Sequence, residues 1–374
     1  MHVQTIGLIY DSIRIIILKV LPRCDRINDM KIIHTADLHL DSPLVGVKDP
    51  SRRRRELIGA LSNLGEYAKN NGIGAIIVAG DLFDEVNTTD KTIRSVADVV
   101  KGGEADWFVL RGNHGGIEAY DKLRAICPQI NFFGDDWTTY THGNVAICGR
   151  ELGTSDAEQW AKLTLDKSAY NILVLHGDVD DPTYGLIDKK AIAASNASYV
   201  ALGHRHTFAA HKFGRVNGCY SGVLEPRGFD ETADTGFILI DTDTGEVKFV
   251  TQAIRKVVTV NLDVGGVTSE VALRNKIQAA TAEVDPRNYL NMILSGAVSE
   301  DLQIEAVARE VLADRYFALR IKDATTLSID VDKISQEVSL RGEFVKLAKN
   351  IPDERLREAV LKMGLNYLHG EVKS

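Results

Sequence analysis

Apolar positions along the chain gather into short runs separated by longer stretches of helical period. Between residues 31 and about 205 the runs are Lys31–Thr35, Ala75–Ala79, Trp107–Leu110, Ile172–Leu175 and Tyr199–Leu202, each rich in Val, Ile or Leu. Between them, apolar residues recur with helical spacing at about 52–70, 89–101, 117–126, 156–166 and 188–195. Runs apolar on both faces are expected of strands buried on both sides. Their alternation with helices predicts a layered α/β sheet.

The pattern changes twice more. From about 207 to 250, β-like runs alternate with Gly, Asp and Asn turns, as in TFAAHKFGRVNGCYSG and GFILIDTDTGEVKFVT. These predict hairpins that flank or extend the sheet. Thr251–Lys256 reads as a boundary. Beyond it VVTVNLDV, YLNMILSG and YFALRIKD are expected strands, and Ser269–Ala282 and Asp301–Ala313 expected helices. Together they predict a small α+β domain, with a largely helical, amphipathic tail from Ile334 to Leu368. The expected organisation is one domain over 30–255 and a second over 256–374.

The first 29 residues stand apart. Gly7 to Leu21 is apolar but interrupted by Asp11, Arg14 and Lys19, too short and too charged to span a bilayer. It lacks the clean apolar stretch and small-residue cleavage site of a signal peptide. The pattern changes abruptly at Met30. Residues 1–29 are therefore expected to be a non-native or flexible leader, with the functional start at Met30. An amphipathic docking helix is the competing reading.

Composition narrows the class without deciding it. With 44% apolar and 26% charged residues the chain has ample core for a globular protein. Cys24, Cys127, Cys148 and Cys219 are far apart and form no CxxC pair, which suits reduced thiols in a cytoplasmic protein. The net charge of −8 argues against holding nucleic acid by bulk electrostatics. A nucleic-acid substrate stays open, because bound divalent cations can reverse the local sign.

The chemistry is carried by how the apolar runs end. IIHTADLH, IIVAGDLFD, FVLRGNH, ILVLHGD and VALGHRH each deliver Asp, Asn or His just past a strand. In open α/β sheets, ligands bind outside the carboxyl ends of the strands. Five such ends would build one converging site. Asp37 and His39, two residues apart, follow the first run, and Asp81 follows the second behind Gly80. Asn113 and His114 follow the third, His176 the fourth, and His204 and His206 the fifth. Carboxylate, amide and imidazole donors without thiolate suit Mn²⁺, Fe²⁺ or Zn²⁺. The seven ligands Asp37, His39, Asp81, Asn113, His176, His204 and His206 are too many for one ion and about right for two sharing a carboxylate. Singly, a DxH or a strand-end His is more often structural. The ordered set is specific.

In that order, the chain resembles the calcineurin-like metallophosphoesterases, and within them the bacterial DNA-repair exonuclease branch of the SbcD and YhaO type. The resemblance rests on HTADLHLDSP (34–43), GDLFD (80–84), RGNH (111–114), LHGDVD (175–180), ALGHRH (201–206), SGVLEPRGFDE (221–231) and LRGEFVKL (340–347). It implies a four-layer sandwich, two β-sheets flanked by helices, followed by a smaller α+β domain that caps the site and binds a partner. It further implies that Asp37, His39, Asp81 and His206 hold one ion, and Asp81, Asn113, His176 and His204 the other. His114 would bind no metal and would stabilise charge or protonate the leaving oxygen, with a metal-activated hydroxide as nucleophile.

The implied reaction is phosphodiester hydrolysis on DNA in DNA repair, with two divalent ions, Mn²⁺ the first choice. An SbcC-like coiled-coil ATPase is the implied partner, with a homodimer as a further assembly and no membrane. No GxxxxGK[ST] loop is present, so ATP dependence must come from another chain. Two rivals remain: a small-molecule phosphodiesterase or phosphomonoesterase, and a DNA-end-binding scaffold with weak hydrolysis. One departure from the family pattern is Gly115, where an acidic residue usually follows GNH to orient the histidine. The histidine's partner is thus missing or replaced, with Glu118 and Asp121 as candidates, and weaker activity or a different leaving-group preference is expected without loss of metal binding.

Other features carry less. Arg52–Arg55 reads more readily as a solvated helix face than as a grip on a nucleic-acid backbone. His34 is expected to be a buried strand histidine. His2, His142, His211 and His369 have no ligand-like partners at useful spacing. Glu225 and Arg227, around Pro226, fit a structural turn at least as well as a substrate contact.

Overall fold

The computed structural model describes residues 16–19 and 30–368, apart from 45, 85–87, 152–156, 182, 184, 300–301 and 328–330. Of the expected leader, only β1 (Ile16–Lys19) is described, as an edge strand antiparallel to residues 246–249. The rest of the leader, including Cys24, lies outside the described residues.

The apolar runs become strands with two-residue alternation of faces. In β2 (Lys31–Thr35), Ile32 joins the core between the two sheets while Ile33 is buried on the other face. Next come α1 (Pro50–Asn70), β3 (Ile73–Ala79), α2 (Asp90–Lys101), β4 (Asp106–Leu110), α3 (Ile117–Ile126) and β5 (Asn131–Phe132). Helix α1 starts where Asp49 accepts a hydrogen bond from the Arg52 N–H at 2.8 Å and Pro50 occupies the first turn. It buries a stripe of Arg53, Leu57, Ala60, Leu61, Leu64 and Ala68. The basic run is therefore not wholly solvated. Arg53 is fully buried, Arg52 pairs with Glu56, and Arg54 donates to the Ser42 carbonyl.

A second sheet follows, built from β6 (Thr138–His142), β7 (Val145–Gly149), β8 (Tyr170–His176), β9 (Tyr199–Gly203), β10 (Ala209–Phe213) and β11 (Val216–Tyr220). Helices α4 (Ala157–Ala161) and α5 (Lys189–Ala194) lie on its outer face, where Trp160 and Ile192 pack on Leu173, Leu175, Val200 and Leu202. The chain then returns to the first sheet with β12 (Gly236–Asp241) and β13 (Glu246–Thr251). Strand order is β1-β13-β12-β2-β3-β4-β5 in one sheet and β10-β11-β9-β8-β7-β6 in the other. Ile32, Ala75, Ile77, Phe108, Ile147, Ile172, Val174, Ala201 and Ile238 form one core between the sheets. With α1, α2 and α3 on the remaining face, this is the four-layer sandwich.

Two details place the site. Strands β2, β3 and β4 run parallel, as do β7, β8 and β9, so each group ends at one edge. At that edge His176 Nδ1, at the end of β8, donates to the Ala79 carbonyl at the end of β3, over 2.9 Å. His34 is buried as expected, with Nδ1 3.0 Å from the Tyr199 hydroxyl and Nε2 3.2 Å from the Leu202 carbonyl. Burial pushes its imidazole down to about 3, so it stays neutral.

The compact units divide at Lys256, the second beginning with Val257. It holds β14 (Val257–Asp263), α6 (Glu270–Ala280), β15 (Tyr289–Ser295), β16 (Ala297–Val298), α7 (Ile304–Leu312), β17 (Ala318–Asp323) and β18 (Thr326–Leu327). Strands β14, β15 and β17 are parallel, joined by α6 and α7, whose Leu273, Ile277, Val307 and Leu312 cover Leu290, Met292 and Leu294. Helices α8 (Val331–Ser335), α9 (Leu340–Ala348) and α10 (Glu354–Leu368) share a separate cluster of Ile334, Val345, Ala348, Leu361 and Leu365. Among the described residues, no helix is long and apolar enough to cross a membrane.

Candidate metal centre

The backbone at the strand ends is strained in a consistent way. Asp37 (φ 54°), His39 (φ 45°), Asp81 (φ 50°) and His204 (φ 110°) all adopt left-handed conformations without being glycine. Such residues cost on the order of 1 kcal/mol or more each and persist where the surroundings over-determine them. The loops after β2 and β3 are zipped together, with Asp37 N donating to Gly80 O (3.1 Å) and His39 N to Asp81 O (2.9 Å). Gly80 has φ 100°, and a Cβ there would fall on the His176 ring.

These loops bring the sequence-predicted donors together. His39 Nε2 and His206 Nε2 face each other at 3.1 Å. Asp81 Oδ2 lies 3.7 Å from His39 Nε2 and 3.3 Å from His176 Nε2. Asn113 Oδ1 lies 2.8 Å from His176 Nε2 and 3.3 Å from His204 Nδ1. Asp37 groups with His39 and His206 on one side and with Asp81 and His176 on the other. Its carboxylate also accepts the His204 N–H at 3.1 Å.

The tautomers follow from what lies behind each ring. A carbonyl only accepts, so His176 Nδ1 must carry the proton it donates to Ala79, leaving Nε2 as a lone pair unless the ring is charged. His39 Nδ1 sits 2.6 Å from Asp84 Oδ1, and His206 Nδ1 sits 3.0 Å from Glu231 Oε1. For His39 this again leaves Nε2 bare, whereas His206 Nδ1 lies between the Glu231 carboxylate and Arg227 Nη2, 3.1 Å away. The centre is thus lined by acceptors that point at one another, and positive charge is what such a set lacks. Two neighbouring His/Asp clusters of this kind fit a dimetal site.

The electrostatics express the same lack of positive charge in another form: beside Asp81 and Asp37, His176 is pushed up to about 9, so it draws a proton into the centre. Burial disfavours charge on both His176 and Asp81, but each partner offsets it, raising His176 and lowering Asp81. Burial also holds His39 below the ordinary imidazole range, against the pull of Asp84. Glu231 is buried, yet His206 and Arg227 bring it down to about 2. At neutral pH the Asp81 carboxylate is ionised and able to act as a ligand.

His114 is placed differently. Its N–H donates to Asp81 Oδ1 at 2.8 Å, while its side chain is about half exposed (49%). The carboxylate that faces its ring is Asp84, 3.8 Å from Nδ1, and not Glu118 or Asp121. Asp121 instead pairs with Arg124. Gly115 has φ 75°, and a Cβ there would press on the Phe83 carbonyl at 3.0 Å. An acidic residue at 115 is therefore strained, and Asp84 supplies the charge from another loop.

Three residues at the centre were not among the sequence candidates for it. Asp84 is the last residue of GDLFD, so its motif was visible but its role was not. Arg227 and Glu231 come from SGVLEPRGFDE and reach His206 through a long loop. Glu225, from the same stretch, is instead buried against Arg53 at 2.7 Å and holds the turn.

The calcineurin-like phosphoesterase profile matches residues 30–208, the segment that carries all the predicted ligands. The chain is also 34% identical over 270 residues to SbcD of the nuclease SbcCD from Bacillus subtilis, covering 58% of this chain and 67% of that one. It belongs to the calcineurin-like phosphoesterase family. This phosphoesterase is 26% identical over 247 residues to the uncharacterized metallophosphoesterase YhaO of Bacillus subtilis, covering 60% of each chain. It is 24% identical over 362 residues to the DNA double-strand break repair protein Mre11 of Methanosarcina mazei, covering 90% of this chain and 55% of that one. The phosphoesterase thus spans little more than half the length of these last two relatives.

Proposed function

We propose that this chain is a two-metal-dependent phosphodiesterase that cleaves DNA in DNA repair, with Mn²⁺ as its working ion. The observation that carries the reading is the acceptor-lined centre in which Asp81 Oδ2 faces both His39 and His176. Asp37, His39, Asp81 and His206 are assigned to one ion, and Asp81, Asn113, His176 and His204 to the other, with Asp81 between them. Held there, two such ions would supply Lewis-acid charge to a phosphoryl oxygen and would lower the pKa of a coordinated water toward neutrality. DNA as substrate is supported by the nuclease and break-repair relatives.

The protein's own part falls to His114. Its anchored backbone and exposed ring let the imidazole reach outward past the ligands. There it stabilises charge on a phosphate oxygen or gives a proton to the leaving oxygen. Asp84 faces it from behind and orients the ring. The second unit is assigned to restricting access and to binding an SbcC-like ATPase. A cytoplasmic setting suits Cys127, Cys148 and Cys219, which are buried free thiols.

The test is nucleotide release from end-labelled duplex DNA with Mn²⁺, comparing wild type with Asp81→Ala and His114→Asn. Wild type should cut. Asp81→Ala should lose bound metal and activity together, and His114→Asn should keep its metal but slow by about 100- to 10,000-fold. Equal cutting by Asp81→Ala would end the two-ion reading. Hydrolysis of bis(p-nitrophenyl) phosphate without cutting of DNA, with or without an SbcC-like ATPase, would move the substrate to small diesters.

A further inference from the structure

We infer that Arg227 is a positioning residue for one half of the dimetal centre, acting through Asp84 and Glu231. The inference rests on the two-ion reading above and concerns what sets the separation of His39 and His206.

Each of these rings is held from behind by a carboxylate. Asp84 Oδ1 lies 2.6 Å from His39 Nδ1, and Glu231 Oε1 lies 3.0 Å from His206 Nδ1. Arg227 spans the two carboxylates. Its Nη1 is 3.2 Å from Asp84 Oδ1, and its Nη2 donates to Glu231 Oε1 at 2.8 Å. Nε donates to Glu231 Oε1 at 3.2 Å, and the Arg227 N–H donates to Glu231 Oε2 at 2.5 Å. Nη2 also lies 3.1 Å from His206 Nδ1. One rigid guanidinium thus fixes the distance between two carboxylates, and these in turn fix two rings whose Nε2 atoms are 3.1 Å apart. Its side chain is only 15% exposed and its nitrogens are committed to these partners, so it serves the ligands and not the substrate.

The residue before Arg227 is pinned in its turn. Arg53 Nη2, fully buried in α1, donates to the Pro226 carbonyl and to Glu225 Oε1. Glu225 also accepts the backbone N–H groups of Ile254 (2.8 Å) and Arg255 (2.9 Å). The bracket therefore rests on a fixed turn. The other half of the centre is held in another way, since His176 is oriented by the Ala79 carbonyl. Loss of Arg227 should therefore affect one ion and spare the other.

The experiment strips the full chain with chelator and titrates it with Mn²⁺, reading affinity, bound metal and the electron paramagnetic resonance signal. Wild type should take two ions and show a spin-coupled pair at saturation. Arg227→Met should bind its first ion with wild-type affinity and its second about 10- to 100-fold more weakly, leaving an uncoupled six-line signal where wild type is coupled. Arg227→Lys keeps the charge without the fork and should behave in the same way, and it carries the test should the Met variant fail to fold. Wild-type affinity for both ions in these variants would overturn the inference, as would equal weakening of both. Wild-type protein that binds fewer than two ions overturns the two-ion reading itself, and with it this inference, before any substitution is made.

Discussion

The guanidinium of Arg53 and the carboxylate of Asp81 are both almost completely buried, yet their surroundings differ in kind. Arg53 meets Glu56 at 3.1 Å and Glu225 at 2.7 Å, and Arg255 meets the same Glu56 at 2.5 Å. Two guanidinium groups face two carboxylates; the Ile254 N–H donates to Glu225 Oε2, and the Arg255 N–H shares Oε1 with Arg53. Around Asp81 the imbalance runs one way: the carboxylates of Asp37, Asp81, Asp84 and Glu231 gather around the same histidines, and Arg227 pairs with only two of them, Asp84 and Glu231. A buried polar cluster whose donors and acceptors match is a fastener. One with converging, unmatched acceptors is a seat for a cation.

The contrast breaks most sharply at Arg53. Arg53→Met should destabilise the protein by about 3–5 kcal/mol in urea unfolding, because it strands Glu225 as an unpaired buried carboxylate. A loss below about 1 kcal/mol would mean the cluster fastens nothing. The next effect belongs to the metal centre. Mn²⁺ at about ten times the dissociation constant of each of two sites should stabilise wild type by about 2.8 kcal/mol, about 1.4 kcal/mol per ion, and leave Asp81→Asn unmoved. Equal stabilisation of both proteins would show that the acceptors do not converge on an ion.

The smallest effect concerns acid, measured with chelator present. Burial raises Glu56, but Arg255 and Arg53 outweigh it and hold its carboxyl below the ordinary range. A carboxylate depressed on folding stabilises above its unfolded pKa and loses that contribution as pH falls through the folded value. Wild type should therefore weaken below about pH 4.5, and Glu56→Gln should flatten that slope. Glu225 is shifted upward by burial and acts with the opposite sign, so the difference between the two proteins isolates Glu56. Parallel pH curves for wild type and Glu56→Gln would refute the assignment.

Much of the centre was legible because its chemistry sits next to strong local pattern. Asp37, Asp81 and His204 each follow a run of Val, Ile or Leu by a residue or two, so a strand could be read and its end located. Strand β7 (VAICG) was not anticipated, although it is buried at every position. Its apolar run is no shorter than several of those read as strands, but it continues as Gly149-Arg150-Glu151 and lacks the Asp, Asn or His ending that marked the others. The replacement of the expected acid at residue 115 by Asp84 was equally hidden. It depends on how the loops after β3 and β4 approach each other, and sequence distance says nothing of that. The same holds for Arg53, whose burial reverses the usual meaning of a basic run: position 53 falls on the stripe continued by Leu57, Ala60, Leu61 and Leu64, and its partners Glu225 and Pro226 lie more than 170 residues away.

Gathering the centre from both sheets also has a consequence for the chain as it is made. Asp37 and His39 emerge from the ribosome early, but two ligands hold a divalent ion weakly. His204 and His206 come more than 160 residues later, and Glu231, which fixes His206, later still. A firm grip on metal must await almost the whole first unit. On the ligand assignment proposed above, the growing chain would thereby be spared early capture of an ion.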